Sequence, residues 1–280
     1  MEVIKKLNEM KARVSSIKKG KETIGFVPTM GTLHEGHISL MRNARDENDK
    51  LIVSIFVNSA QFDNGEDFKS YPRQLDKDIE IAESMNVDIV FAPYTEELYD
   101  EGFCTYVLQT KLTEPLCGKF RPGHFKGVTT IMTKLFNIIK PDRAYLGQKD
   151  YQQNIVIKRL VRDLNMTIDI KILPTVRDKD GLAFSSRNKH LNPQERSNAL
   201  CIYNSLLKAK TMYSSSIKDA NKIIEEMTSI IKSEKHTEID YVSIVNHNTL
   251  EDVSRINGKA VAAVAVRIGD TRLIDNIILE

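Results

Sequence analysis

The sequence has no tryptophan, few cysteines and no long hydrophobic run. The three cysteines, Cys104, Cys117 and Cys201, are odd in number and widely spaced, which argues against a disulfide framework and a CxxC zinc site. Sparse, unpaired cysteine is typical of a reducing compartment and predicts a cytoplasmic protein. The longest charge-free apolar run, residues 51–62, is too short to cross a bilayer, so no membrane partner is expected.

Neither sign of charge dominates the chain. The sequence contains 40 Lys and Arg against 38 Asp and Glu, a formal net charge of +2. This balance lacks the basic excess of a general polyanion binder, so no nucleic-acid partner is expected. With 41% hydrophobic and 28% charged residues, a disordered or collagen-like chain is excluded. A length of 280 residues suits two domains or one large one.

Strand-like and helix-like segments alternate through the first part of the chain. Apolar, β-branched runs predict strands, and apolar residues at helical spacing predict the helices between them. The predicted strands are 23–28, 51–57, 87–93, 143–147 and 167–173, and the predicted helices are 37–48, 73–86, 125–139 and 150–165. This order predicts an α/β fold with a Rossmann-like, doubly wound parallel sheet. Before it, Ile4, Leu7, Val14 and Ile17 predict an amphipathic surface helix.

The pattern changes after Pro174. Asn192 and Pro193 are typical of a helix N-cap with proline in the first turn. Predicted helices over 193–213 and 217–235 precede predicted strands over 239–245, 260–268 and 272–279. Helices followed by strands indicate a smaller α+β domain. We therefore predict a Rossmann-like domain over 1–175 and an α+β domain over 176–280.

The segment PTMGTLHEGH, residues 28–37, ends the first predicted strand and opens a helix. A helix N-terminus presents unpaired N–H groups and partial positive charge, and Gly31 and Gly36 allow close backbone approach to a ligand. His34 and His37, three residues apart, place their imidazoles on one face where they can donate to phosphate oxygens. The alternative is a pair of capping or surface histidines. The strand-to-helix context favours phosphate binding.

The fuller string PTMGTLHEGHISL resembles the pantothenate synthetase (pantoate–β-alanine ligase) family of the HIGH-motif nucleotidylyltransferase superfamily. The resemblance continues, in the family's order, through FVNSAQF, YPR, RPGHFKGV, PDRAYLGQKDYQQ, GLAFSSRN and RLIDN. It implies a ligase that adenylates pantoate with ATP and Mg²⁺, releases pyrophosphate, and lets the β-alanine amine displace AMP. It also implies a homodimer. The two-domain organisation further predicts that the second domain closes over the active site and shields the acyl-adenylate from water.

The resemblance assigns ATP contacts to several blocks. His37 matches the family's acid, with His34 and Lys149 on the phosphates. Ser185, Ser186 and Arg187 match a phosphate-gripping loop, and Val176 matches a backbone contact to adenine. The implied ATP-binding residues are Met30, Gly31, Thr32, Leu33, His34, Glu35, Gly36, His37, Gly147, Gln148, Lys149, Asp150, Val176, Phe184, Ser185, Ser186 and Arg187.

The acid substrate is assigned mainly to glutamines. Gln61 and Gln153 match the family's pantoate-binding positions, and Gln61 also matches the β-alanine position. Neutral amide donors would leave the pantoate carboxylate nucleophilic, whereas a tight ion pair would not. Asn58, Arg121 and His124 are lesser candidates near pantoate and the phosphates.

The metal site is left open by the sequence. Asp78 and Asp150 are candidate Mg²⁺ carboxylates, and both are equally interpretable as helix-surface or N-cap aspartates. Three residues depart from the family pattern: Ser59 replaces a usual proline, Gln148 a usual Glu, and Phe184 a usual Met or Lys. The loss of proline predicts a less rigid Gln61 loop.

Two alternatives accompany the ligase hypothesis. A nucleotidylyltransferase would transfer AMP to a phosphorylated acceptor, which needs cations where this sequence has neutral glutamines. A non-catalytic nucleotide-binding or RNA-binding protein would show a basic stripe with stacking aromatic residues. The near-neutral charge and the complete HxGH, Lys149 and SSR set argue against the second of these.

Overall fold

The structure, a computed structural model, describes residues 1–62 and 65–280. Its strands are β1 Glu2–Ile4, β2 Ile24–Thr29, β3 Lys50–Ile55, β4 Ile89–Phe91, β5 Arg143–Gly147, β6 Asp169–Leu173, β7 Thr237–Asn246, β8 Ala260–Ile268 and β9 Thr271–Leu279. Its α-helices are α1 Leu7–Lys19, α2 Glu35–Glu47, α3 Gly65–Ser70, α4 Leu75–Ser84, α5 Thr95–Leu98, α6 Cys117–Phe120, α7 His124–Ile139, α8 Tyr151–Asp163, α9 Pro193–Asn198, α10 Leu200–Ser214 and α11 Ala220–Lys232. Short 3₁₀ turns cover Ser59–Gln61, Gln148–Asp150 and Ser186–His190.

Six parallel strands form the first sheet, in the order β1-β4-β3-β2-β5-β6. The central strands are continuous apolar runs, as expected where helices cover both faces of a sheet. The chain leaves β2 toward β3 on one side, and β5 later pairs with β2 on the other side. Such a switch in strand order is where doubly wound sheets bind ligands. The predicted fold class is confirmed.

The N-terminal residues differ from the sequence prediction. Ile4 does not belong to the amphipathic helix but ends β1, where it pairs with Phe91 of β4. The helix itself is real: α1 buries Val14 and Ile17. A three-residue edge strand is too short to produce a periodic signal, and tertiary pairing with β4 decides its conformation.

Residue contacts divide the chain into two compact units. The sheet unit comprises residues 1–110, 121–147 and 153–174, and the C-terminal unit comprises residues 111–120, 148–152 and 175–280. Residues 111–120 and 148–152 therefore belong to the C-terminal unit, although they precede most of it in the sequence. The division into domains 1–175 and 176–280 stays a prediction.

The C-terminal unit packs helices on an antiparallel sheet of three strands, in the order β7-β8-β9. The nearly uncharged β8 is buried along almost its whole length, and α10 and α11 contribute Leu206 and Ile223 to the same core. The single helix predicted over 193–213 is wrong, since α9 and α10 are separate. The Ile202 amide donates to the Ala199 carbonyl only three residues back, a tighter turn than an α-helix makes.

No helix among the described residues is both long and apolar enough to span a membrane. Asn192 is the expected N-cap: its Oδ1 accepts from the Glu195 amide at 2.9 Å, and Glu195 Oε2 accepts from the Asn192 amide at 2.9 Å. Pro193 occupies the first helical turn. The sequence prediction of this helix start is confirmed.

Replacing Asn192 with alanine should destabilise the protein by about 1 kcal/mol, because the α9 cap loses its acceptor. Calorimetry should show a melting temperature lower by about 2–4 °C. Asn192→Ser keeps a capping oxygen and should melt close to the wild type. Equal melting of the alanine and serine variants would contradict this role of the cap.

Candidate active site

A buried carboxylate holds the loop between β2 and α2. Gly31 and Thr32 have positive φ values of 83° and 54°, and the amides of Thr32 and Leu33 turn toward one acceptor. Asp78, on α4 and only 1% exposed, accepts from Thr32 N at 2.8 Å and Leu33 N at 2.7 Å. A Cβ on Gly31 would lie 2.9 Å from Asp78 Oδ2, so glycine is needed there.

Asp78 is therefore neither a helix-surface aspartate nor an N-cap, and that part of the sequence interpretation is wrong. Both of its oxygens are engaged by backbone N–H groups. Buried carboxylates require such partners, because an unpaired charge in the interior is costly. Asp78 shapes the loop that carries the candidate phosphate-binding residues.

The two histidines cap α2 and also stack on each other. His34 is the N-cap, and its Nδ1 accepts from Gly36 N at 3.1 Å, while His37 Nδ1 accepts from His34 N at 3.3 Å. The ring centroids lie 4.1 Å apart, which confirms that the imidazoles share one face. Because each Nδ1 accepts, the neutral form of each ring carries its proton on Nε2. The capping interpretation is thus compatible with phosphate binding. Glu35, which follows His34 in the sequence, is the first residue of α2.

The turn after β3 brings Gln61 against the same loop. Gln61 Nε2 lies 3.1 Å from Met30 Sδ, so these two predicted site residues meet. Asn58 is buried, and its Nδ2 donates to Gln61 Oε1 at 3.0 Å and to the Gly127 carbonyl at 3.1 Å. Tyr99 Oη donates to Asn58 Oδ1 at 2.8 Å. Nothing in the local sequence around Tyr99 predicts this contact, which spans 41 positions.

His124 and Arg121 converge on the backbone of Gln61. His124 Nδ1 lies 2.7 Å from the Gln61 carbonyl, and Arg121 Nη2 donates to it at 3.2 Å. A carbonyl only accepts, so this contact requires the His124 proton on Nδ1. A Cβ on Gly127 would overlap Ala60, so glycine permits the close approach of α7 to the turn. The RPGHFKGV and FVNSAQF blocks therefore form one assembly.

The remaining site residues of the sheet unit lie around the end of β5. Gly147 is its last residue, and the Gly147 carbonyl accepts from Asn154 Nδ2 at 2.8 Å. Gln153 lies in the first turn of α8 with a partly exposed side chain. The structure thus places Gln61 in the turn after β3, and Gln153 in the helix that follows β5 and its 3₁₀ turn.

In the C-terminal unit, Asn276 holds the turn that carries Lys149. Asn276 is buried, and its Nδ2 donates to the Gln148 carbonyl at 3.0 Å and the Lys149 carbonyl at 2.9 Å. Its Oδ1 accepts from Gln148 Nε2 at 3.3 Å. Lys149 Nζ lies 3.5 Å from Asp150 Oδ1. The RLIDN block, to which the sequence assigned no task, thus positions a candidate phosphate-binding lysine.

Asp275, beside Asn276, anchors the segment that contains Val176. Its carboxylate forms a two-bond ion pair with Arg177, whose Nη2 donates at 3.0 Å, and the Arg177 guanidinium lies 4.4 Å from the Tyr203 ring centroid. The Val176 carbonyl accepts from Phe184 N at 3.1 Å. Val176 and Phe184 are therefore held together by the backbone.

The SSR segment follows directly. Ser185 caps the 3₁₀ turn that contains Ser186 and Arg187, and its Oγ accepts from Arg187 N at 3.3 Å. Asn188 Nδ2 donates to the Ala183 carbonyl at 3.0 Å. A small pocket in this unit is lined by both Lys149 and Ser185, so the structure brings two predicted phosphate-binding residues together.

Comparison with known proteins identifies the family. The family model described as pantoate-beta-alanine ligase matches residues 2–278. The chain belongs to the pantoate–β-alanine ligase family. It is 53% identical over 279 residues to a pantothenate synthetase of Thermotoga petrophila and 51% identical over 280 residues to one of Acetivibrio thermocellus, with 100% of each chain covered.

Solved structures of pantoate–β-alanine ligases share the fold along the whole chain. The pantothenate synthetase of Thermus thermophilus has a TM-score of 0.94 at 40% identity, covering 99% of each chain. The enzyme of Francisella tularensis, complexed with beta-gamma ATP and beta-alanine, has a TM-score of 0.83 at 36% identity, covering 99% of this chain and 97% of that one.

Within residues 1–62 and 65–280, no group of three or more His, Cys, Asp or Glu residues forms a candidate metal cluster. Of the two candidate carboxylates, Asp78 is engaged by backbone amides, and Asp150 lies beside Lys149.

Replacing Asp78 with asparagine should destabilise the loop, since an amide NH₂ would face one of the two backbone N–H donors. We expect a loss of about 1–3 kcal/mol in unfolding free energy and faster hydrogen exchange at the Thr32 and Leu33 amides. Asp76→Asn, exposed on the same helix, is the matched control. Unchanged hydrogen exchange at the Thr32 and Leu33 amides in Asp78→Asn would show that Asp78 does not hold this loop.

Proposed function

We propose that this chain joins pantoate to β-alanine by way of a pantoyl-adenylate, splitting ATP to AMP and pyrophosphate. The observation that carries the proposal is the family match over residues 2–278 together with the reciprocal His34–His37 cap at the N-terminus of α2. A family member complexed with beta-gamma ATP and beta-alanine supports use of these two ligands. Pantoate is the acid that completes the ligase reaction.

In the first step, a pantoate carboxylate oxygen attacks the α-phosphorus and the bond to pyrophosphate breaks. Negative charge then grows on the phosphate oxygens, and fixed donors stabilise it. We assign His37 as the acid on the phosphates, with His34 as its partner at the N-terminus of α2. Lys149 supplies a point charge, and Ser185, Ser186 and Arg187 supply further donors.

The pantoate carboxylate is assigned to Gln61 and Gln153, whose amides bind it without neutralising it. In the second step the β-alanine amine attacks the acyl carbon, so that a C–N bond forms and the C–O bond to AMP breaks. The proton that the amine loses in this step passes to solvent water. Mg²⁺, bound mainly through the phosphates of ATP, would supply additional charge neutralisation.

The alternative of AMP transfer to a phosphorylated acceptor is not favoured. Such an acceptor needs a second cationic pocket, and the acceptor positions Gln61 and Gln153 are neutral. The Gln61 Oε1 atom also accepts from the side-chain amide of Asn58, which is a neutral group. The relatives that match the chain over its full length are named for the ligase.

We also propose a homodimer in the cytoplasm. Tyr106 and Leu108, in a stretch without regular secondary structure, expose 44% and 73% of their surfaces, and such neighbouring apolar side chains suit a subunit interface. The three cysteines are free thiols, with Cys104 exposed, which suits a reducing compartment.

Mg·ATP and pantoate should yield pyrophosphate, and addition of β-alanine should produce AMP and pantothenate at matching rates. His37→Ala should lower kcat/KM by about 10²–10³-fold, since one donor to the developing charge is lost. The control is His236→Asn, because His236 is exposed in a turn with a φ of 58° that asparagine tolerates. Tight ATP binding without pantoate-dependent pyrophosphate release would contradict the ligase proposal.

Leu108→Glu should convert the dimer to a monomer, because a carboxylate cannot be buried at an apolar interface without a partner. Light scattering after gel filtration should report about half the wild-type mass. Leu207→Glu, a leucine exposed on α10, is the control and should remain dimeric. A monomeric wild type would overturn the homodimer proposal.

A further inference from the structure

The backbone carbonyl of Gly127 shows which way the side-chain amide of Asn58 is oriented. The carbonyl of Gly127 only accepts hydrogen bonds, and it lies 3.1 Å from Asn58 Nδ2. Asn58 is buried in contact with this carbonyl, so the reverse orientation would set two acceptors against each other. The side-chain nitrogen of Asn58 must therefore face α7.

The orientation of the Asn58 amide determines the directions of the hydrogen bonds to Tyr99 and Gln61. Asn58 Oδ1 points away from Gly127 and can only accept, so Tyr99 Oη donates to it at 2.8 Å. The second hydrogen of Asn58 Nδ2 goes to Gln61 Oε1 at 3.0 Å. Gln61 therefore presents Nε2, a donor, on its other side, next to Met30 Sδ at 3.1 Å.

Tyr99 is built into an aromatic cluster that holds its ring. Its ring stacks on Phe56 with centroids 6.2 Å apart and meets the edge of Phe103 at 4.8 Å. Burial raises the pKa of the Tyr99 phenol above its ordinary value, so the hydroxyl keeps its proton and remains a donor. Replacement by phenylalanine would keep the ring contacts and remove only the donated hydrogen bond.

We propose that Tyr99 is a positioning residue that acts through Asn58 to hold the Gln61 amide with Nε2–H toward the bound carboxylate substrate. The inference rests on the proposed function, because it takes pantoate as the ligand of Gln61. A carboxylate accepts only, so a flipped Gln61 would turn its own oxygen toward the substrate's oxygens and repel them. The orientation of the Gln61 amide therefore determines whether the pocket can bind a carboxylate.

Tyr99→Phe should raise KM for pantoate about tenfold, equivalent to about 1.4 kcal/mol, because the buried Asn58 Oδ1 loses its donor. Asn58, then bonded only through Nδ2, restrains the Gln61 amide less firmly. The KM for ATP should stay within about twofold, since the Tyr99 hydroxyl bonds to Asn58 in the Gln61 network. Steady-state kinetics with each substrate varied separately measures the split.

A matched control separates positioning from general stability. Tyr145 is also buried, and its Oη donates to Glu47 Oε2 at 2.7 Å and accepts from Asn48 Nδ2 at 2.8 Å, at the C-terminal end of α2. Tyr145→Phe should lower the melting temperature at least as much as Tyr99→Phe does. It should leave KM for pantoate unchanged.

A double-mutant cycle tests the path through Gln61. In a Gln61→Ala background, which has no amide to orient, Tyr99→Phe should change the remaining pantoate KM by less than about twofold. Additive effects, or an unchanged pantoate KM in Tyr99→Phe alone, would overturn the proposal while wild-type activity shows that the ligase function stands. Wild-type enzyme without pantoate-dependent turnover would overturn both.

Discussion

The buried Asp78 carboxylate determines the shape of the loop on which the candidate active site depends. Its two oxygens accept the amides of Thr32 and Leu33, and the loop carries a left-handed backbone at Gly31 and Thr32 to present them. The bonds join residues 46 and 45 positions apart. Because such a backbone is strained for Thr32, the carboxylate stabilises a conformation that the local sequence would not adopt by itself.

Side chains also hold the backbone of two other turns that carry candidate site residues. Asn276 holds the Lys149 turn through two backbone carbonyls, and His124 and Arg121 hold the Gln61 turn through one. Side chains that bond to backbone fix the path of a turn without occupying the functional group that it presents. At the Gln61 turn, which contains Ser59, the bonds from Arg121 and His124 restrain the backbone.

Regular structure was predictable where a pattern is strong and local. The bounds of β5 and β8 agree with the sequence prediction, and the N-cap at Asn192 lies where its residue type indicates. The short β1 and the break at Ala199 were not predictable, since tertiary pairing and a single tighter turn produce them. The bonds of Tyr99 to Asn58 and of Asp78 to Thr32 span 41 and 46 positions, so no local pattern predicts them.

The sequence by itself determined the fold class, the order of the blocks and the kinds of functional group available: imidazoles, amides, a lysine and hydroxyls. Only the tertiary structure decided which nitrogen of each imidazole carries the proton and which atom of the Gln61 amide is already bonded within the protein. The imidazoles of His34 and His37 carry their neutral-state proton on Nε2 because each Nδ1 accepts a backbone amide. The Gln61 amide presents Nε2 because Asn58, oriented by the Gly127 carbonyl, occupies its oxygen. The polarity of a hydrogen bond depends on its partner, and folding chooses the partner.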